Sequence, residues 1–379
     1  MTVRYLVFGI LFSLIVGVTS AQGAVIERCT NTGIQQRTPE FMPNGIILTA
    51  FDAESLWVYD ISRDTRYPLP ETRPCNGTCH LSPNAQELIY LNPETYIFSV
   101  MRVDGTFRTP LVSNASEVQW WAQDILLVWT PDQRVYLRFR DNAPPEPDLI
   151  PADGVRTIQP GGRYGVRIQL NDGVFNRYLV NLDDVTQATV YLSPDRPYFN
   201  ASAWSPSGQY LAYVGDGTFD SNANITGSEL YLIQTVADST PQQLTNLHAV
   251  YGAARINGYN PSDLSWSPDN TRVAFWVINL LGSNPQANTA EAVLHMVDIR
   301  TGETFRYCAF STAEHTPETP RIIWSPDGSH MAFAGDVEGD GKGALLLAVN
   351  ANTGQFTELS DGMFPVYGIP QLTAWGVSP

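Results

Sequence analysis

The chain has 379 residues, of which 43% are hydrophobic and 16% are charged, so it is long enough to bury a large core. Its formal net charge is −16, from 38 acidic and 22 basic residues. Nucleic acids and anionic membrane surfaces both select basic patches, so this acidic balance predicts no nucleic-acid partner.

The N-terminus has the pattern of an export signal. Arg4 precedes an apolar run from Leu6 to Val18, and the small residues up to Ala21 fit a cleavage site. The run is short for a membrane span, so we expect cleavage, export to the periplasm or the cell exterior, and no membrane-spanning segment afterwards. The predicted division is a signal peptide at 1–21, an N-terminal segment at 22–40 and a repeat domain at 41–379.

One turn pattern then recurs along the chain. Weak copies come first: Pro43-Asn44-Gly45, Ser82-Pro83-Asn84, Trp121-Ala122-Gln123-Asp124 and Pro160-Gly161-Gly162. Strong copies follow: Trp204-Ser205-Pro206-Ser207-Gly208, Trp266-Ser267-Pro268-Asp269-Asn270 and Trp324-Ser325-Pro326-Asp327-Gly328. Pro sets φ for such a turn, Ser or Asp accepts a backbone hydrogen bond, and Gly or Asn tolerates positive φ. Each copy therefore predicts a two-strand hairpin.

A second pair of strands follows each hairpin, as at Leu230–Ile233 and Val293–Asp298. Four strands in a unit of about 40 residues are typical of a β-propeller blade. The last strand, Leu372–Trp375, lacks three partners that the first repeat can supply. We predict an all-β fold: a single propeller of seven four-stranded blades, closed by pairing of the N- and C-terminal strands.

The phrase Trp-Ser-Pro-Asp-Gly, followed downstream by Thr353-Gly354 and Leu359, resembles the TolB-type, WD-repeat-like propeller family. The strong copies match it well, and the first four match through turns and spacing. The resemblance implies the fold but not the TolB function, because TolB has fewer blades and a separate N-terminal α/β domain. Prolyl-oligopeptidase relatives add an α/β-hydrolase domain, whose Gly-x-Ser-x-Gly motif does not occur in this sequence.

All four cysteines lie in the part predicted to be exported, where an even number favours two disulfides. Cys75 and Cys79 are close enough to bridge a surface loop, which leaves Cys29 to pair with Cys308. A bridge between Cys29 and one of the loop cysteines is the alternative.

The repeat spacing predicts a binding face. Successive turns are about 37 to 46 residues apart in the first four intervals and 53 to 62 in the last three. The turns themselves stay short, so the extra residues lie in loops that share the opposite face of the ring. Those loops carry aromatic and basic residues, which are common interface anchors. We predict ligand-binding residues on blades 5 to 7: His248, Tyr251, Arg255, Tyr259, Glu314, His315, Arg321, Phe364 and Tyr367.

Calcium is the one cofactor that the sequence suggests. Asp336, Glu338 and Asp340 alternate as in the start of a calcium loop, and Gly341 follows them. The twelfth position of such a loop is Leu347, not the usual bidentate Glu. Ordinary turn residues are the alternative interpretation.

The residues favour a non-catalytic exported propeller that binds a protein, peptide or glycan. Its five histidines form no His-x-His or His-Glu-x-x-His pair: His80, His248, His295, His315 and His330. The alternative is a propeller lyase or hydrolase with a carboxylate and histidine site over the central channel. Two or more of His248, Glu314, His315 and Asp336 near one point would favour the enzyme.

Overall fold

The structure is a computed structural model. It describes residues 24–29, 43–50, 55–75, 78–141, 150–184, 189–215, 221, 227–258, 260–279, 292–307, 319–336, 344–359 and 371–379. Within these ranges it contains seven sheets, antiparallel apart from one added parallel strand, and each sheet forms one propeller blade. The predicted all-β, seven-bladed propeller is therefore confirmed.

The strands follow chain order from the N-terminal strand β1 (Val25–Arg28). Blades 1 to 3 contain β2 (Ile46–Ala50), β3 (Leu56–Asp60), β4 (Thr65–Leu69); β5 (His80–Leu81), β6 (Glu87–Leu91), β7 (Phe98–Arg102), β8 (Thr109–Val112); and β9 (Glu117–Ala122), β10 (Ile125–Trp129), β11 (Arg134–Phe139), β12 (Ile150–Pro151).

Blades 4 and 5 contain β13 (Val155–Ile158), β14 (Tyr164–Asn171), β15 (Val174–Asn181), β16 (Val190–Pro194); and β17 (Ser202–Trp204), β18 (Tyr210–Val214), β19 (Leu230–Gln234), β20 (Gln242–Gln243). Helix α1 (Leu247–Tyr251), β21 (Ala254–Ile256) and a 3-10 turn (Pro261–Asp263) connect blade 5 to blade 6.

Blade 6 contains β22 (Ser265–Trp266), β23 (Arg272–Asn279), β24 (Ala292–Asp298), β25 (Thr304–Tyr307), and blade 7 contains β26 (Ile323–Trp324), β27 (His330–Asp336), β28 (Ala344–Asn350), β29 (Phe356–Glu358). The C-terminal strand is β30 (Gln371–Gly376).

The ring closes by pairing its two ends, as predicted. Strand β30 is the innermost strand of blade 1 and runs antiparallel to β2, with Ile47 opposite Trp375. Leu372 and Trp375 are at most 4% exposed. The chain end thus covers the edge that β2 would otherwise present to solvent.

Local chemistry explains the repeated turn. In blade 6 the Ser267 hydroxyl donates to Asp269 and accepts the backbone N–H of Arg272. In blade 7 Ser325 donates to Asp327 and accepts the backbone N–H of His330. Serine and aspartate therefore close the turn together, while Gly328 supplies its positive φ of 68°.

The repeated tryptophan links neighbouring blades. The indole of Trp266 in blade 6 donates to the carbonyl of Ala203 in blade 5, at 2.8 Å. The indole of Trp324 in blade 7 donates to Ser265 in blade 6, at 3.0 Å. Trp120 makes the same bond to the His80 carbonyl. Each such residue fills the core and also ties its inner strand to the preceding blade.

The N-terminal segment adds a strand that the sequence pattern did not predict. Strand β1 pairs in parallel with β25 and extends the outer edge of blade 6. The Arg28 guanidinium lies 3.6 Å from the ring centroid of Phe305 and donates to the carbonyl of Ala351 in blade 7. The segment therefore joins the outer parts of two blades.

The predicted Cys75–Cys79 disulfide is present, with Cα atoms 5.2 Å apart. Cys29 is also disulfide-bonded, and its predicted partner, Cys308, lies outside the described residues. No helix in the described ranges is long and apolar enough to cross a membrane.

Candidate binding face and inner-strand pair

The two faces of the ring differ in their chemistry. We call the face with the turns between first and second strands the lower face, and the opposite face the upper face. Backbone and side-chain hydrogen bonds join neighbouring turns on the lower face, as between Ser207 and Asn270, Arg272 and Gly328, and Val377 and Ala85. The lower-face turns thus act in holding the ring together.

The connection from blade 5 to blade 6 lies on the upper face and contains several predicted ligand residues. The buried carboxylate of Glu229 accepts the backbone N–H groups of Leu247 and His248 at the start of α1. An anion at a helix N-terminus satisfies donors that have no partner within the helix. This contact fixes α1, and the side chains of His248 and Val250 remain exposed.

Tyr251 is half-buried and has a structural partner. Its hydroxyl donates to Nε2 of His295 at 2.8 Å, while Nδ1 of His295 donates to the Val293 carbonyl. Burial lowers the pKa of His295 to about 4, so the imidazole is neutral near pH 7. Tyr251 therefore ties the connection to the core of blade 6.

Arg255 and Arg321 occupy contrasting places. Arg255 is 1% exposed, its guanidinium lies 3.7 Å from the ring centroid of Tyr198, and burial lowers its pKa. Because Arg255 is buried, a partner bound at the surface does not contact its side chain. Arg321 is exposed just before the inner strand of blade 7, and nearby protein lowers the pKa of its guanidinium by desolvation.

Other predicted site residues lie outside the described ranges. They are Tyr259, Glu314, His315, Phe364 and Tyr367, together with Glu338 and Asp340 of the calcium candidate. Asp336 ends β27. Among the described residues, no three His, Cys, Asp or Glu side chains are grouped to hold a metal ion.

A hairpin in blade 4 carries the most apolar exposed group described on the upper face. Strands β14 and β15 pair over eight residues, and Asp172 and Gly173, both with positive φ, form the turn. Leu170, Val174 and Phe175 are 56%, 44% and 54% exposed. Leu170 and Phe175 lie directly opposite each other, so their side chains share one face of the hairpin.

The base of this hairpin is fixed to the next blade. The buried Arg177 donates to the Phe199 carbonyl and to Ser202 Oγ at the start of blade 5. Burial lowers the pKa of Arg177 to about 10, and Asp195 partly offsets that effect. We call Leu170, Val174 and Phe175 the hairpin tip.

Polar side chains lie on the inner strands of blades 2 and 3. His80 Nε2 donates to Glu117 Oε1 at 3.1 Å, and Gln119 donates to the same oxygen at 2.6 Å. Burial raises the pKa of Glu117, but these two hydrogen bonds outweigh it and lower the pKa overall. Glu117 is therefore an ionised carboxylate near the ring axis, with its side chain 32% exposed.

Sequence reasoning missed both the hairpin tip and the His80–Glu117 pair. The tip was visible as Asp172-Gly173 between two apolar-rich strands, a strong hairpin signal. The pair joins residues 37 positions apart in different blades. Only the alignment of the weak copies at Pro83 and Trp121 could have placed both residues on inner strands.

No family model and no curated protein matches this chain. Among solved structures it is similar to TolB from Acinetobacter baumannii, with 12% identity, a TM-score of 0.41 and coverage of 95% of this chain and 98% of that one. It is also similar to the tricorn protease, with 11% identity, a TM-score of 0.48 and coverage of 89% and 36%.

A third similar structure is hydrazine synthase from Kuenenia stuttgartiensis, with 13% identity, a TM-score of 0.45 and coverage of 86% of this chain and 99% of that one. At these identities and TM-scores, none of the three similarities assigns a family or an activity to this chain.

Proposed function

We propose that this chain is an exported, non-catalytic β-propeller that binds a protein partner through its upper face. The observation that carries the proposal is the hairpin tip, where three apolar side chains are each at least 44% exposed. Single exposed apolar residues are ordinary, but Leu170 and Phe175 lie side by side on one face of the hairpin, with Val174 on the other face, and an exposed group of this kind marks an interaction surface.

The ligand class follows from the kind of side chain. Leu170 and Val174 are aliphatic and offer no hydrogen bonds, and Phe175 is the only aromatic ring among the three residues of the tip. Buried against a partner, apolar side chains release water and favour association. Of the protein, peptide and glycan ligands that the sequence allows, a folded protein or an apolar peptide fits the tip best.

The surface also includes exposed residues of the neighbouring connection. His248 and Val250 on α1 share the upper face with the tip, and Val250 is 40% exposed. Tyr259, Glu314, His315, Phe364 and Tyr367 stay in the proposal as sequence-based candidates. In this proposal Arg255 and Tyr251 have structural roles only. Arg255 packs on Tyr198, and Tyr251 bonds to His295.

An affinity-capture experiment tests the proposal. Tagged full-length protein is used as bait in the native exported fraction, beside the double variant Leu170→Ser, Phe175→Ser. The matched control is Phe107→Ser, which removes a 70% exposed phenylalanine from a lower-face turn of blade 2.

We expect the double variant to capture at least tenfold less of its specific partner than the parent does, since hot-spot residues contribute about 2 kcal/mol or more each. The control should capture as much as the parent protein. Equal loss in both variants, or no loss in either, contradicts binding through the hairpin tip.

The second candidate function is a propeller enzyme, and the His80–Glu117 pair is the observation that favours it. A carboxylate that holds an imidazole in place is common to many general bases. Hydrolysis or elimination that is lost in His80→Asn would support the enzyme.

A further inference from the structure

A polar cavity of about 280 Å³ lies between blades 6 and 7, beside the lower-face turn of blade 6. Arg28, Arg272 and Arg300 line it. These residues come from the N-terminal strand β1, from β23 and from the turn that follows β24, so three elements each contribute one guanidinium group. The volume suits a small molecule, since pockets for drug-sized ligands measure about 300–1,000 Å³.

Two of these arginines converge on one turn of blade 7. The Arg28 guanidinium donates to the Ala351 carbonyl. Arg272 Nη1 donates to Oδ1 of the next residue, Asn352, at 3.4 Å. The Tyr307 hydroxyl shares the Ala351 carbonyl with Arg28, at 2.6 Å. Burial raises the pKa of Tyr307 to about 12, and the charges of Arg28 and Arg272 both oppose that rise. The two guanidinium groups therefore lie near the same phenol and near each other.

Aromatic rings and a carbonyl hold both guanidinium groups in place. Arg28 lies 3.6 Å from the ring centroid of the buried Phe305. Arg272 lies 5.0 Å from the ring centroid of Trp324 and donates to the Gly328 carbonyl at 2.7 Å. Cation–π contacts of this kind orient a guanidinium group without neutralising its charge. Each group has five N–H donors, so both keep donors for a further acceptor.

The carboxylates that line the cavity leave this pair of charges largely unbalanced. Asp298 is held by Arg300, with Nε 3.0 Å from Oδ1 and Nη2 2.6 Å from Oδ2. The ion pair between Asp269 and Arg272 is 3.8 Å long, which is beyond hydrogen-bond distance. Among the residues that the structure describes, no carboxylate forms an ion pair with Arg28. An anion placed between Arg28 and Arg272 would supply the missing charge.

We infer that this cavity binds a small phosphate, either inorganic phosphate or a phosphate monoester. Arginine bonds to phosphate oxygens through parallel N–H groups, and two guanidinium groups match the two negative charges of the phosphate. Glu303, which is exposed, also lines the cavity, and its charge opposes the anion. The site lies on other blades than the hairpin tip, so it stands or falls independently of the protein-binding surface.

Isothermal titration calorimetry on the full exported chain at about pH 8 tests the inference, because a phosphate monoester then carries about two negative charges. The probes are inorganic phosphate, glycerol 3-phosphate and glucose 6-phosphate, with glycerol and glucose as matched probes that lack the phosphate. The variants are Arg28→Gln, Arg272→Gln and Glu303→Gln. Arg134→Gln is the charge-matched control, because Arg134 lies in blade 3 with its side chain 48% exposed.

We expect at least one phosphate to bind, and glycerol and glucose not to bind. Arg28→Gln and Arg272→Gln should each weaken binding about tenfold or more, while Arg134→Gln should match the parent. Glu303→Gln should tighten binding about twofold, because it removes a like charge from the cavity. Tighter binding of a monoester than of inorganic phosphate would support the inference and identify the monoester as the ligand. Equal or weaker binding would also support it and identify free phosphate.

Absence of binding by all three phosphates would overturn the inference, and so would parent-like binding by the two arginine variants. Melting curves show whether each variant is folded. If an arginine variant does not fold, Glu303→Gln decides the question: tighter binding supports the phosphate site, and unchanged or weaker binding overturns it.

Discussion

At the scale of single residues, buried polar groups in this propeller act mostly as ties between blades. Arg177, Glu229 and His295 are each less than 8% exposed, and each bonds to groups of a connection or a neighbouring blade. A buried polar group without a partner is costly, so such ties specify one arrangement of the blades. Two predictions follow from particular side chains.

The first concerns His295 and pH. Its pKa is about 4 in the folded chain and near 6.5 when unfolded, so the unfolded state takes up the proton first. The stability from the neutral imidazole is fully present above pH 6.5 and is lost as pH falls towards 4. Burial also lowers the pKa of His330, which adds a change of the same sign.

Urea unfolding at pH 7.5, 6.5, 5.5 and 4.5 measures this effect. The parent chain should lose more stability across the series than His295→Gln, with a difference approaching about 3 kcal/mol. If the free energy of unfolding falls equally with pH in both proteins, His295 does not cause the pH dependence of stability.

The second prediction concerns the inter-blade indole bond. Trp266 donates to Ala203, whereas the indole N–H of the equally buried Trp129 has no partner among the described residues. Trp266→Phe should therefore reduce the free energy of unfolding by about 1 kcal/mol more than Trp129→Phe. Chemical denaturation of both variants provides the comparison. Equal losses would mean that packing alone explains the repeated tryptophan.

At the scale of elements, the strands at the two chain ends have the largest consequences. Strand β30 completes blade 1, and β1 extends blade 6. Removing residues 371–379 exposes β2 and deletes the buried Leu372 and Trp375. Loss of one large buried side chain already costs roughly 3–5 kcal/mol, so the truncated chain should melt far below the parent.

Differential scanning calorimetry of the truncated and parent chains checks this expectation. Removing 24–28 is the matched comparison, because β1 adds to a blade that is already four-stranded and the disulfide-bonded Cys29 is kept. It should lower the melting temperature less. An unchanged melting curve after removal of β30 would refute closure by the C-terminal strand.

At the scale of the whole molecule, the sequence predicted the ring well because each blade repeats local chemistry. Ser267 and Asp269 close their own turn, and the pairing of β30 with β2 follows from counting strands. The site was harder to predict because its contacts join distant blades. Arg255 looked available in a long loop, yet it packs on Tyr198 of the preceding blade connection.

The same reason explains the elements that were missed. Strand β1 has only four residues and pairs with a strand 279 positions later. His80 and Glu117 lie in weak copies of the repeat, where turns alone mark the register. The pattern of residue types along the chain indicates local geometry. The contacts of insertion loops and of side-chain pairs between inner strands depend instead on which blades become neighbours in the ring.

The central claim is that the upper face binds a protein partner at the hairpin tip. Site-specific photo-crosslinking tests it most directly. A benzoylphenylalanine replaces Phe175 on the upper face or Phe107 on the lower face, and both native side chains are more than half exposed. After irradiation in the native exported fraction, position 175 should yield a discrete protein adduct that position 107 does not. Adducts at position 107 alone, or at neither position, would contradict the account.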